Sequence, residues 1–159
     1  MIYHRRFIAL TCVFAAAIAL GSCKSVPLKP SSESKATVAL SAAADVNPDA
    51  TGKPSPVIVR VYQLKGDTAF SGADFFALFD DDMKVLGPEL IGREEYVLTP
   101  SEKRTVELAV LKTAKFVGVI AAFRDIRNSQ WRVLVPAPLK KNNVTLSVER
   151  ARVQLAPAR

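Results

Sequence analysis

The chain has 159 residues, of which 49% are apolar and 23% are charged, and its formal net charge is +7. This length suits one domain rather than two, and the composition excludes a disordered chain. The lysines and arginines are scattered without a basic run, which argues against nucleic-acid binding, although the excess charge could favour an anionic membrane surface or an acidic partner.

The first 22 residues have the pattern of a bacterial export signal. Arg5 and Arg6 give the amino terminus a positive start, and a largely apolar run follows from Phe7 to Leu20. This run is shorter than the roughly 20 residues that a membrane-spanning helix needs. A basic start before a short apolar core is typical of secretory signals, so we expect a signal peptide over residues 1–22.

The end of the apolar run resembles the lipobox of bacterial lipoproteins. Leu20, Gly21 and Ser22 supply one aliphatic and two small residues for recognition by the signal peptidase, and Cys23 follows them. A lipobox implies that the Cys23 thiol takes a diacylglycerol and that the new amino terminus takes a further acyl chain. More than one acyl chain gives stable membrane anchoring.

The residue after Cys23 bears on the location of the protein. In such lipoproteins Asp at this position retains the protein at the inner membrane, so Lys24 points to the outer membrane, with the domain facing the periplasm. The alternative is an unmodified thiol at Cys23 after a conventional signal.

The mature chain starts with a stretch rich in Pro, Ser and Lys, so we expect a flexible lipid tether over residues 23–35 and one domain over residues 36–159. Strand signals follow at Thr37–Ala42 and Val57–Leu64, and residues 45–56 between them are dense in turn formers. Both faces of Val57–Leu64 are apolar, which predicts a strand covered on both sides.

The spacing of apolar residues changes from that of a strand to that of a helix between residues 66 and 90. Ser71–Asp74 resembles a capping box ahead of an apolar run. Three aromatic rings fall at helical spacing, and we expect them to be buried against a sheet: Phe75, Phe76 and Phe79. We interpret Asp80–Asp82 as the end of one helix and the start of a second, which ends at Gly87.

Short strands resume after this insertion. They are expected at Glu94–Leu98, Thr105–Val110, Phe116–Phe123 and Trp131–Val135. Phe116–Phe123 is apolar on both faces, which predicts a central strand. The last alternating stretch changes parity near Glu149 and Arg150, which predicts a bulge or a turn. Seven or eight such strands predict an all-β fold, a β-sandwich with a small helical insertion after the second strand.

Little catalytic chemistry remains once the signal is removed. His4 and Cys12 are lost with it, so the mature chain has no histidine and only Cys23 as a cysteine, which excludes disulfides, Ser-His-Asp catalysis and Cys/His zinc sites. We expect no enzyme activity, no metal and no cofactor beyond the acyl groups. A carboxylate-pair hydrolase stays open as an alternative, with six candidates: Asp80, Asp81, Asp82, Glu89, Glu94 and Glu95.

Several segments in order carry a family resemblance. They are Asn47–Pro56 leading into Val57–Leu64, then Ala73–Phe79, Val117–Asp125 and Trp131–Arg132. Together with the lipobox they resemble the TssJ (SciN) family, the outer-membrane lipoproteins of the type VI secretion system, from Cys23 to about Leu155. The resemblance implies a transthyretin-like β-sandwich. It also implies that the protein anchors the trans-envelope complex by holding the periplasmic part of the inner-membrane protein TssM.

The resemblance also implies a partner-binding loop between the first two strands. Its candidate residues are Val46, Asn47, Pro48, Asp49, Gly52, Lys53 and Pro54. Prolines restrict this loop, so less entropy is lost on binding, and Asn47–Asp49 can form a self-bonded turn. Lys53 stands where Arg is expected, which keeps the charge and loses the planar fork. The alternative is a rigid strand connection with nothing docked.

A second function class stays open from the residues themselves. A periplasmic lipoprotein of the sandwich class can also bind a small ligand or a cell-wall component, and its pocket would then expose the rings of Phe75, Phe76 and Phe79. We also interpret Arg124–Asp125 and Trp131–Arg132 as an ion pair under an aromatic lid that holds a turn.

Overall fold

The computed structural model describes residues 33–137 and 143–157. The signal peptide expected over residues 1–22, including Leu20, Gly21 and Ser22, lies outside the described residues, as does the expected acylation site at Cys23.

In the described residues, eight β-strands form two packed four-stranded sheets, which confirms the predicted all-β sandwich. The strands are β1 (Glu33–Ala42), β2 (Val57–Leu64), β3 (Leu90–Leu98), β4 (Lys103–Leu111), β5 (Phe116–Ala121), β6 (Arg132–Pro136), β7 (Asn143–Glu149) and β8 (Arg152–Pro157). The first sheet has the order β4-β1-β7-β8, and the second has the order β3-β2-β5-β6. Within these sheets β1 and β7 run parallel and the other neighbours run antiparallel.

One boundary differs from the sequence-based expectation. Strand β1 begins at Glu33, so the first sheet includes residues 33–35 of the segment that we expected to be tether. The parity change at the carboxyl-terminal end is a turn, one of the two predicted alternatives, because Glu149 and Arg152 pair at the base of a β7–β8 hairpin.

The helical insertion follows β2, as predicted, and covers the outer face of the second sheet. It consists of α1 (Thr68–Gly72) and α2 (Phe75–Leu86), followed by one 3₁₀ turn (Gly87–Glu89). Asp81 has non-helical angles, with φ −145° and ψ 53°, so α2 is kinked where the sequence predicted that one helix ends and another begins. Gly87 ends α2 with φ at 48°, a conformation that favours glycine.

The predicted capping box is wrong in register. Ser71 lies inside α1, and the extended backbone of Ala73 separates the two helices. Asp74 is itself the N-cap of α2, because its carboxylate accepts a hydrogen bond from the Ala77 backbone N–H at 2.9 Å. An acidic residue ahead of an apolar run fits either register, so the sequence pattern alone does not separate them.

The larger apolar cluster lies between the two sheets and draws alternate residues from both. Its buried members include Val38, Leu40, Leu108, Leu146, Val59, Val117 and Val119. A second cluster lies between the second sheet and the helices, and its members include Tyr62, Leu64, Phe70, Leu78 and Ile120. Strands β2 and β5 therefore contact a core on each face, which explains why their sequences are apolar on both.

The expectation that all three phenylalanine rings are buried is wrong for Phe76. Phe75 is buried, and Phe79 stacks on it with ring centroids 5.3 Å apart. Phe76 is 62% exposed, and Met83, seven residues later, is 72% exposed. The residues of α2 that face the sheet are Phe75, Leu78, Asp82 and Leu86. Phe76 and Met83 belong to neither this set nor the core, and both project into solvent.

The strand directions give the sandwich two distinct ends. At the proximal end, β1 begins and residues 112–115 join β4 to β5. At the distal end lie residues 43–56, which join β1 to β2, residues 122–131, which join β5 to β6, and the β7–β8 turn at residues 150–151. The chain therefore reaches the sandwich from Cys23 at the proximal end.

Candidate functional site

The loop between β1 and β2 is held by two buried residues at its start. Val46 is completely buried in the core between the sheets, and its backbone carbonyl accepts a hydrogen bond from Ser55 N–H at 3.1 Å. Asn47 is also buried, and its backbone N–H donates to the Arg150 carbonyl at 3.0 Å. These contacts fix the base of the loop against the β7–β8 turn.

The side chain of Asn47 joins this loop to another. Its Nδ2 donates to the Pro56 carbonyl at 2.6 Å, and its Oδ1 accepts from the Arg124 backbone N–H at 2.7 Å. Asn47 has φ at 46°, a left-handed conformation that Asn tolerates better than most residues. One buried amide therefore connects the β1–β2 loop to the β5–β6 loop.

The tip of the loop is organised by Asp49. Its Oδ1 accepts hydrogen bonds from Thr51 N–H at 2.9 Å, from Thr51 Oγ1 at 2.7 Å and from Lys53 N–H at 3.0 Å. These bonds, with the one from the Thr51 side chain as the largest contribution, hold the pKa of Asp49 below its usual value of 3.8. Gly52 completes the turn with φ at 83°. A self-bonded turn is therefore present over residues 49–53, with Asp49 as its acceptor, whereas the sequence predicted one over Asn47–Asp49.

Three of the loops at the distal end enclose a concave cavity of about 520 Å³. We call it the distal groove, and its lining residues are Asn47, Pro48, Asp49, Ala50, Phe123, Arg124, Asp125, Arg150 and Ala151. The largely buried Phe123 gives it an apolar patch, while two arginines and two aspartates give it charges of both signs. Arg150 also lies 3.8 Å from Asp45 in an exposed ion pair. An apolar patch with a polar rim is typical of a protein-docking surface.

The structure places the seven loop residues named from the sequence in two groups. Asn47, Pro48 and Asp49 line the distal groove, and Val46 supports it from the core. Three others lie exposed on the loop outside the groove lining: Gly52, Lys53 and Pro54.

Sequence reasoning missed the contributions of the other two loops. Phe123, Arg124, Arg150 and Ala151 line the groove although only the β1–β2 loop was named. The signal that could have found them is strand order, because loops that follow β1, β5 and β7 share an end when those strands run in the same direction.

The interpretation of Arg124–Asp125 as an ion pair is wrong. Among the ion pairs of the described residues, none joins these two side chains. The Asp125 carboxylate accepts instead from Asn128 Nδ2 at 2.9 and 3.0 Å. Arg132 lies over the Trp131 ring at 5.0 Å, as the aromatic lid implies, and donates to the carbonyls of Phe70 and Ala73, which ties β6 to α1.

The acidic residues considered for a hydrolase are mostly engaged in holding α2 and β3. Asp82 is buried, accepts from Arg93 at 2.8 Å and lies 3.5 Å from Arg60 Nη1. The Tyr62 hydroxyl donates to Asp82 at 3.1 Å, and burial raises the pKa of Tyr62 to about 12. Glu95 accepts from Arg60 Nε at 2.6 Å.

Two other candidate carboxylates also have partners. Glu94 accepts from the Tyr96 hydroxyl, and Glu89 accepts from Ala69 N–H at 3.2 Å. In the described ranges, no group of three potential metal-ligating side chains comes together. None of the helices described there combines the length and apolarity needed to cross a bilayer.

Comparison with known proteins gives a family and several similar structures. A family model described as "Type VI secretion lipoprotein, VasD, EvfM, TssJ, VC_A0113" matches residues 34–151. The crystal structure of the type VI lipoprotein TssJ1 from Pseudomonas aeruginosa is similar, with 32% identity and a TM-score of 0.72 over 80% of this chain and 100% of that one. A comparison with curated proteins gave no significant match.

Two further similar chains belong to larger type VI structures. One, from a structure described as "Type VI membrane complex", has 29% identity and a TM-score of 0.71, over 77% of this chain and 98% of that one. The other is from a structure described as "T6SS protein TssM C-terminal domain (869-1107) from EAEC", with 28% identity and a TM-score of 0.64, over 78% of this chain and 98% of that one.

Proposed function

The chain belongs to the type VI secretion lipoprotein family, and on that premise we propose that it is an outer-membrane lipoprotein that anchors the trans-envelope complex by binding the periplasmic part of TssM. In this proposal residues 1–22 are removed, acyl chains on Cys23 hold the domain on the periplasmic face of the outer membrane, and the distal groove with its loop binds TssM.

The observation that carries the proposal is the position of the groove relative to the anchor. Strand β1 runs from the proximal end to the β1–β2 loop over ten residues, which corresponds to about 33 Å at the rise of an extended strand. A chain tethered at Cys23 would therefore present the groove on the side away from its anchor. Lipid and partner can then be bound at the same time without competing for one surface.

Preorganisation of the docking surface also supports the proposal. Asn47 links the loop to its neighbours, and three hydrogen bonds to Asp49 shape its tip before any partner is present. A surface that is already ordered loses less conformational entropy on association, so more of its contact energy remains as affinity.

Solved structures of similar chains give TssM as the partner to test. In the structure whose description names the TssM C-terminal domain, the match covers 98% of the similar chain and 78% of this one. The similar chain is therefore shorter than this chain, and much shorter than the range 869–1107 named in that description. This difference in length supports a lipoprotein chain accompanying TssM there, and we extend that association to this protein.

Catalysis has no part in the proposal. The buried Asp82 of α2 and the β3 residues Glu94 and Glu95 are engaged with arginine or tyrosine side chains. We propose no cofactor beyond the diacylglycerol and N-acyl chain on Cys23, and neither a small-molecule substrate nor nucleic acid as a ligand.

Substitutions that change the charge and size of side chains in the groove test the proposal. Ala50→Arg and Arg124→Glu alter exposed residues of the groove, and the Arg124 charge also acts on Asp49, whose pKa it helps to lower. We expect each variant to weaken binding of the purified TssM periplasmic domain by about tenfold or more, because a new charge must be desolvated on docking. Isothermal titration calorimetry measures this change.

The matched control is Thr113→Arg, which adds the same positive charge to an exposed residue at the proximal end. Its affinity for TssM should equal that of the wild-type protein. Unaltered binding by both groove variants, with thermal melting showing all proteins folded, would remove the distal groove from the interface.

A further inference from the structure

Two loops bring exposed lysines together at the proximal end. Lys65 follows β2, while Lys112 and Lys115 lie in the turn between β4 and β5, and all three are exposed. The Lys115 backbone N–H donates to the Leu64 carbonyl at 2.8 Å, so this turn is joined directly to the residue before Lys65. The Lys115 carbonyl in turn accepts from Ala137 N–H at 2.7 Å. Backbone hydrogen bonds therefore fix the positions of the two loops that carry the lysines.

Nearby carboxylates leave these ammonium groups available. Within residues 33–137 and 143–157, none of the three lysines forms an ion pair. Glu89 instead accepts from Ala69 N–H at 3.2 Å, and Glu107 pairs with Lys35 at 3.2 Å. Asp67 is exposed two residues after Lys65, so the lysines outnumber the exposed carboxylate in these two loops.

The length of the tether limits how far these lysines can lie from the lipid. Nine residues, 24–32, separate Cys23 from the start of β1. Even fully extended they span at most about 32 Å. The proximal end is the part of the domain that the tether meets first, so its lysines are confined near the headgroups. Attraction between charges acts over about 8 Å at physiological salt, and the tether lets the lysines approach the headgroups to within that distance.

We propose that the proximal end docks through Lys65, Lys112 and Lys115 on anionic phospholipid headgroups of the leaflet that holds the acyl chains. This inference rests on the lipid anchor of the proposed function. Docking orients the domain as well as tethering it. With the proximal end on the bilayer, β1 points away from the membrane and the distal groove faces the periplasm. The anchored protein is then held ready for a partner that approaches from the inner membrane.

Lysine reactivity in the acylated protein tests the contact directly. The full lipoprotein is reconstituted into vesicles of phosphatidylcholine alone or of phosphatidylcholine and phosphatidylglycerol in a three-to-one ratio. Acylation of each lysine by an N-hydroxysuccinimide ester is followed by mass spectrometry. We expect Lys65, Lys112 and Lys115 to react about threefold more slowly on the anionic vesicles, and high salt to remove the difference.

Lys103 is the internal control, because it is exposed at the opposite end of β4. Its reactivity should be the same on both vesicles. Equal slowing at Lys103, or no slowing at the three proximal lysines, would overturn the inference. The intact mass of the same sample reports the acyl chains, so a failed anchor is distinguished from a failed headgroup contact.

A second measurement uses Trp131, the single tryptophan of the chain, which lies at the distal end. Energy transfer from Trp131 to a dansyl-labelled headgroup reports its height above the bilayer. Replacing all three proximal lysines with Glu should release the domain to tilt, so transfer should rise on anionic vesicles. The matched triple variant at the distal end, with Glu at positions 103, 127 and 152, should keep the wild-type value. Equal transfer in both triple variants would also overturn the inference.

Discussion

Single side chains shape the distal groove by adding hydrogen bonds to those that the loop backbones make with one another. Asn47 is the main example, because its amide satisfies the Pro56 carbonyl and the Arg124 N–H in one step. Buried backbone groups left without partners are costly, so this one residue allows two loops to pack closely. Asp49 does the same for the tip, although it is exposed to solvent.

Protonation of Asp49 should loosen the loop tip without unfolding the domain. The pKa of Asp49 is lowered in the folded state, so the ionised carboxylate stabilises the tip above the unfolded value of 3.8. That stabilisation is lost as the pH falls through the lower folded pKa. We expect amide hydrogen exchange at Thr51 and Lys53, followed by NMR, to become less protected in this acidic range.

The control for this titration is Asp49→Asn, which keeps the shape and removes the charge. Its exchange rates at Thr51 and Lys53 should show no corresponding step with pH once the intrinsic acid dependence is subtracted. A step of the same size in the variant would assign the transition to another group.

At the scale of elements, α2 is held to the second sheet by a buried carboxylate as well as by apolar contacts. Asp82 receives hydrogen bonds from Tyr62 on β2 and Arg93 on β3, and Arg60 of β2 lies 3.5 Å away. Arg60 also donates to the Phe79 carbonyl at 2.6 Å and lies over the Phe79 ring. The kink at Asp81 directly precedes this contact and lets the second half of α2 present Asp82 to the sheet.

Removal of this carboxylate should destabilise the domain strongly. Asp82→Ala leaves Arg60 with one fewer counter-charge and the Tyr62 hydroxyl without its acceptor at 3.1 Å. We expect the free energy of unfolding to fall by about 3 kcal/mol, in the range for breaking a buried ion pair. Urea denaturation measures the loss.

Asp80→Ala makes the same chemical change on an exposed residue of the same helix. It should alter the free energy of unfolding by no more than about 0.5 kcal/mol. Similar losses for both variants would mean that Asp82 contributes only through helix propensity.

The elements also show what the sequence can and cannot predict. Alternation identified β4 and left a bulge or a turn open at the terminal hairpin, and apolar character on both faces identified β2 as a covered strand and β5 as a central one. Helical spacing grouped Phe76 with Phe75, yet the face that is buried depends on how α2 lies across the sheet, which is a tertiary property. Likewise, no local pattern reveals that the Gln63 amide of β2 bonds the backbone of Ala109 and Leu111 on β4, across the sandwich.

At the scale of the whole molecule, the candidate site could be predicted only in part for the same reason. The loop of residues 46–54 stands out by its turn formers, but Arg124 and Arg150 reach the groove through the order and direction of strands. The parallel pairing of β1 with β7 aligns their ends, and it joins residues more than a hundred positions apart. Such long-range pairing leaves no signature in a local window.

In the proposed function the anchor and the docking surface lie at opposite ends of the sandwich, so the two roles should be separable by mutation. Cys23→Ser removes the thiol that we expect to carry the diacylglycerol. Each buried CH₂ of an acyl chain contributes about 0.8 kcal/mol to membrane binding, so its loss should abolish stable anchoring. We expect this variant to leave the outer-membrane fraction, measured by density-gradient separation and immunoblotting, while its purified domain binds TssM as tightly as the wild-type domain does.

Cys12→Ser is the matched control, because that thiol lies within the apolar core of the expected signal, and it should fractionate with the outer membrane. Retention of the Cys23→Ser variant in that fraction would show that something other than acyl chains holds the domain there.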